Sequence, residues 1–111
     1  MSKRPVQVLL EDMLEAMDRI AQYTRDLSQE AFIDDTRTTD AVVRNLEILG
    51  EAANRLPDEF ATRHTQIEWA KIVGLRHRIV HDYFGIDLQI VWQIVQHDLP
   101  ALKLVLQKLR L

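Results

Sequence analysis

The sequence predicts an all-α protein, an antiparallel bundle of four to five helices. Three observations carry this. Apolar residues recur at steps of three and four along several long stretches, and no useful length alternates with period two. Gly and Pro, three of each, fall mostly where one such stretch gives way to another. Hydrophobic residues make up 47% of 111 residues, enough for one buried core and too many for a disordered chain. We read residues 1–111 as a single domain.

The first helix is expected over residues 6 to about 27. Leu9, Leu10, Met13, Leu14, Met17 and Ile20 form its apolar stripe, and Pro5 sits where a first-turn proline is tolerated. Ser28 is a natural N-cap for a short segment over 29–33. Residues 34–40 read as a polar connector. The next helix, about 40–55, presents Val42, Leu46, Leu49, Ala53 and Leu56. Gly50 inside it costs about 1 kcal/mol relative to alanine, so a close neighbour is expected there.

Pro57 breaks the pattern and opens a short turn through Phe60, with 63–66 as loop. Residues 67–73 lead into the stretch LRHRIVHDYFG at 75–85, read as helix until Gly85 closes it in a left-handed cap. Asp87 is a good N-cap for the last helix. Its stripe (Leu88, Val91, Val95, Leu99, Leu102, Leu106 and Leu109) is interrupted by Pro100, where a kink or restart is expected.

The chain carries no cysteine, which removes disulfides, thiolate catalysis and Cys-based zinc sites. No signal core or membrane-length apolar run occurs, so a cytoplasmic protein with no membrane partner is expected. The net charge of −3 argues against a general polyanion binder. Over 63–83, however, Arg63, Lys71, Arg76 and Arg78 face only Glu68 and Asp82. That local surplus of +2 leaves −5 on the rest. A positive site on an acidic body focuses an anionic substrate.

The stretch 76–83 gathers two arginines, two histidines, an aspartate and a tyrosine. Arginine forks onto phosphate oxygens, and histidine gives and takes protons near neutrality. Charged residues on a helix are more often a plain solvated face, so the types alone do not establish catalysis. Arg76 and His81 are five apart, about 140° around an ideal helix. Either the helix unwinds before His81, or a second copy supplies partner groups across a two-fold axis. We favour a homodimer, the commonest symmetric oligomer, because the apolar content is generous for a small bundle. Arg76 and Tyr83, seven apart, fall near one face.

Other uses were weighed. His77 and His81, at i,i+4, share a face but lack a third ligand, so no metal site is assigned and no cofactor is expected. Glu47 and Glu51 form a carboxylate pair, and Glu51 is a candidate to orient Arg76 or His77. His64 and His97 read as surface residues. Trp69 and Trp92 read as core or dimer-seam residues rather than base-stacking platforms. Gly-rich phosphate loops and Ser-His-Asp arrangements are absent from the sequence.

The string Arg76-(four residues)-His81-Asp82-Tyr83 resembles the R-x4-H-x-Y form of the HepT-like toxins within the HEPN superfamily. Residues 38–53, TTDAVVRNLEILGEAA, are similar to that family's second long helix, and segments of 86–100 agree as well. The resemblance runs from about Leu9 onward. It implies a dimeric helical bundle whose two motifs face each other in a cleft. It also implies a metal-independent endoribonuclease, the toxin of a toxin–antitoxin pair. Arg76 and His81 would be catalytic, with His77, Arg78 and Glu51 binding RNA or supporting the site. The implied partner is a minimal nucleotidyltransferase antitoxin that transfers AMP to Tyr83. One departure is His77, where the family commonly has a small polar residue such as asparagine. The alternative reading is a non-catalytic interaction subunit that binds, and is modified by, the nucleotidyltransferase.

Overall fold

A computed structural model describes residues 4–80 and 85–109. The described residues form an all-α architecture. Its long elements are α1 (Val6–Thr24), α3 (Thr36–Asn54) and a composite C-terminal helix, α7 (Leu88–Gln93), a π-helical turn (Ile94–Asp98) and α8 (Leu99–Leu109). Shorter pieces fill the corners: α2 (Gln29–Asp34), α4 (Asp58–Arg63), α5 (Trp69–Val73) and α6 (Leu75–Ile79).

The expected stripes make the core. Leu9, Leu10, Met13, Met17 and Ile20 of α1 pack along Val42, Leu46 and Leu49 of α3, all buried. Val91, Ile94, Leu99 and Leu106 close the core from the C-terminal helix. Helices α5 and α6 lie against α3, and α6 also meets α7. Gly50 explains the first approach. A Cβ there would stand 3.0 Å from the Ile72 carbonyl oxygen, so α3 and α5 meet backbone to side-chain-free backbone.

Several boundaries differ from expectation. Helix α1 stops at Thr24 rather than near 27, because the chain turns at Asp26 with φ +63°. The polar connector shrinks to one residue. Asp35 accepts the Thr38 amide at 3.1 Å and the Thr38 hydroxyl at 2.8 Å, which starts α3 at Thr36 instead of Asp40. Ser28 caps α2 through the Ala31 amide, as its position suggested. Helix α4 runs on to Arg63.

The helix carrying the basic stretch ends at Ile79, not at Gly85. Val80 leaves it in an extended conformation and forms an antiparallel bridge with Ile86. The Asp87 amide donates to the Ile79 carbonyl at 2.7 Å and satisfies a carbonyl the helix leaves orphaned. Gly85 does take a left-handed φ of +94°, but in this return connection rather than in a helix cap.

Pro100 is accommodated without a break. It lacks an amide and would clash with a carbonyl four residues back, and the π-helical turn immediately before it absorbs the offset. Asp87 caps α7 through the Gln89 and Ile90 amides. No helix among the described residues is long and apolar enough to cross a membrane.

Candidate active site

Helix α6 is one turn and a half of LRHRI. Leu75 and Ile79, four apart, are buried and anchor it to the core, which turns Arg76, His77 and Arg78 outward. The anchoring pair therefore decides that three consecutive basic or titratable side chains are exposed. Val80, the residue before His81, donates its amide to the Arg76 carbonyl at 3.2 Å. The backbone of Arg76 is thus fixed to the point where the chain leaves the helix. Helical phase ends at Ile79, so the 140° separation computed for a continuous helix does not apply beyond it. His81 and Tyr83 themselves lie outside the described residues, and so does the pairing of His77 with His81.

The three side chains differ in their partners. Arg76 makes no ion pair or side-chain hydrogen bond among the described residues and is exposed. Arg78 is held by Asp98 of the π-helical turn, Nη1 to Oδ2 at 2.6 Å. His77 and Arg78 line one wall of a groove of about 910 Å³ between α5–α6 and the C-terminal helix. Its opposite wall carries His97 and Asp98.

Glu51 makes no hydrogen bond or ion pair with Arg76, His77 or Arg78. It accepts a hydrogen bond from Arg55 at 3.0 Å, one turn along α3. It borders a shallow recess with Arg4 and Asp12, on the α1 side of α3. The reason is angular. Gly50 faces α5, and the next residue is rotated by about 100° away from it.

The other singled-out residues settle as follows. Trp69 is half-buried, with its indole N–H on the His64 carbonyl at 2.9 Å and its ring edge-on to Phe60. Trp92 packs against Phe32 with centroids 5.2 Å apart. His97 is exposed, but His64 is half-buried against Phe60, 4.4 Å between rings. Asp98 is the residue that spacing alone overlooked. Its signal was Pro100: a proline inside a helical stripe forces an offset in the preceding turn, and that turn carries residues 97 and 98.

Chemically, α6 presents a guanidinium with no ion pair among the described residues, a second one held by Asp98 and an imidazole, next to a segment whose sequence contains a second imidazole and a phenol. Such a set grips an anion and moves protons.

Comparison with known proteins agrees with the sequence resemblance. The family described as Ribonuclease HepT-like matches residues 13–109. The chain is 40% identical over 108 residues to "Probable ribonuclease HepT" of Thermococcus cleftensis, covering 97% of this chain and 98% of that one. It is 39% identical over 100 residues to a candidate RNase of Methanocaldococcus jannaschii, 90% of this chain and 83% of that one. A candidate RNase of Caldanaerobacter subterraneus is 37% identical over 103 residues, with 89% and 92% covered. No solved structure gives a significant match.

Proposed function

The chain belongs to the HepT-like ribonuclease family, and from that premise we propose that it is a metal-independent endoribonuclease acting as the toxin of a toxin–antitoxin pair. The observation that carries this reading is the exposed Arg76, without an ion pair among the described residues, on a turn of helix that ends at Ile79, two residues before His81. In the proposed reaction, a ribose 2′-hydroxyl attacks its own 3′-phosphate, the bond from phosphorus to the 5′-oxygen of the next nucleotide breaks, and a 2′,3′-cyclic phosphate and a 5′-hydroxyl result. His81 takes or returns the proton, and Arg76 stabilises charge on the pentacoordinate phosphorus. The nucleophile is intramolecular, so orientation supplies much of the rate and no metal-bound water is required. Arg78 and His77 hold the strand. Arg78 exchanges Asp98 for a phosphate oxygen at modest cost, since an ion pair this exposed is worth about 0–1 kcal/mol.

The working form is a homodimer with the two motifs facing each other. The exposed apolar side chains of Val80 and Ile86, bridged at the end of α6, support a contact there. The partner is a nucleotidyltransferase antitoxin that moves AMP onto the Tyr83 hydroxyl. The adduct sets a negative charge and a bulky base beside the arginines and blocks RNA.

The test is cleavage of RNA by purified protein in EDTA. Wild type is expected to give discrete products, and Arg76→Ala and His81→Ala to lose ~10²–10³ of the rate. Toxicity in cells without cleavage by any preparation overturns the catalytic reading and favours an interaction subunit. For the modification, intact mass after co-expression with the antitoxin should show an AMP increment that Tyr83→Phe abolishes. An increment that persists in Tyr83→Phe removes that residue as acceptor.

A further inference from the structure

The groove between α6 and the π-helical turn is larger than ion-pairing alone explains. At about 910 Å³ it sits at the upper end of ligand clefts, which run roughly 300–1,000 Å³. Its floor is apolar, with Ile72, Leu75 and Leu99 buried and Leu102 half-buried. Its rim is polar. Both rim carboxylates are occupied, Glu68 by Lys71 at 3.0 Å and Asp98 by Arg78 at 2.6 Å. The remaining titratable groups on the rim are His77 on one wall and His97 on the other. Both are exposed and make no ion pair among the described residues.

We propose that this groove receives one nucleotide of a single-stranded RNA next to the scissile phosphate, with the base on the apolar floor and a phosphate between Arg78 and His97. The proposal rests on the endoribonuclease reading and adds a binding residue, His97, and a place for the flanking base. Continuity is the first argument. His77 and Arg78, which wall the groove, are the next two residues after Arg76 on α6. Charge is the second. Among the described residues each rim carboxylate is matched by a base, Glu68 by Lys71 and Asp98 by Arg78, so the rim carries no net negative charge, and two imidazoles stand beside these pairs. A flat apolar protein face would instead bury two ion pairs, whose desolvation opposes docking. A nucleotide matches both parts, since bases lie on apolar and imidazole surfaces while phosphates take arginine. The π-helical turn then has a use beyond relieving Pro100, because it is the segment that presents His97 and Asp98 to the groove.

Two variants probe the groove without touching the core. His97→Gln removes a rim imidazole, and Ala101→Trp, at an exposed lining position, fills the mouth. The probe is a set of short A, C, G and U homopolymers fully substituted with 2′-fluorine, which cannot be cut through a 2′-hydroxyl. Binding is read by fluorescence anisotropy, and KM and kcat are taken on the ribose forms. Each variant should weaken binding about tenfold and raise KM by a similar factor, with kcat within about twofold. Ala101→Trp should also flatten the preference among the four bases. Melting and sedimentation should match wild type.

The proposal is overturned if both variants bind the probes as wild type does while wild type cleaves RNA. It is equally overturned if Ala101→Trp splits the oligomer or loses the antitoxin while RNA binding is kept, which makes the groove a protein seat. If wild type neither binds nor cleaves RNA, the endoribonuclease reading fails first and the groove proposal fails with it.

Discussion

Arg76 and Arg78 are two residues apart and chemically identical, yet their surroundings differ, and different work is proposed for them. Arg78 is tied to a carboxylate, whereas Arg76 is not tied to any among the described residues. Substitution by lysine separates the roles. Arg76→Lys keeps the charge and loses the planar fork, so the cleavage rate should fall by at least about tenfold with no change in melting temperature. Arg78→Lys should chiefly raise KM. Equal effects on kcat from the two would contradict the division of labour.

Asp35 offers a residue-scale test of the fold instead. The Thr38 hydroxyl, and then the Thr38 amide, hold its carboxyl below the ordinary value of 3.8. A depressed carboxylate stabilises the folded state fully above its unfolded pKa, and the contribution disappears as pH falls through the lower folded value. Asp35→Asn retains an acceptor for the cap but cannot titrate. Its acid-unfolding profile should therefore be shallower than wild type below about pH 4. Identical acid slopes would remove Asp35 from the account. The basic character of residues 76–78 was legible from residue types alone. The commitments of Glu51 and Arg78 were not, because both depend on which way a neighbouring helix faces.

Among the elements, α3 and α5 meet at Gly50, and this contact was readable because a glycine inside a helix needs a reason. Alanine there would gain about 1 kcal/mol of helix propensity but bring a Cβ to 3.0 Å from a backbone oxygen that cannot rotate away. Gly50→Ala should therefore lower the melting temperature, and a rise of several degrees would show that α5 gives way easily. The amphipathic stripes placed α1, α3 and the C-terminal helix correctly. They failed at ends fixed by single contacts: the Asp35 cap, the Asp26 turn, and the Val80–Ile86 bridge that stops α6. Periodicity in LRHRIVHDYFG runs straight through that bridge. A pairing between residues six apart in sequence leaves no trace in a helical pattern.

For the whole molecule, the proposed working unit is two chains, with the exposed Val80 and Ile86 at their contact. Sedimentation at micromolar concentration should give twice the chain mass. Placing aspartate at both Val80 and Ile86 should shift it towards the monomer and reduce cleavage together. A wild-type monomer that cuts RNA at full rate would remove the shared site. The charge balance acts at the same scale: the surplus counted along 63–83 is largely neutralised, with Arg63, Lys71 and Arg78 each paired to a carboxylate, which leaves Arg76 as the cation without such a partner among the described residues. The central claim is that phosphate is broken here by an intramolecular nucleophile, a guanidinium and an imidazole. The most direct measurement follows one oligonucleotide in EDTA, prepared as RNA and as the same sequence with 2′-deoxyribose throughout. The account predicts cleavage of the RNA alone, leaving a 2′,3′-cyclic phosphate. Cutting of the deoxy strand, or cutting of RNA that returns only when a divalent ion is restored, would contradict it.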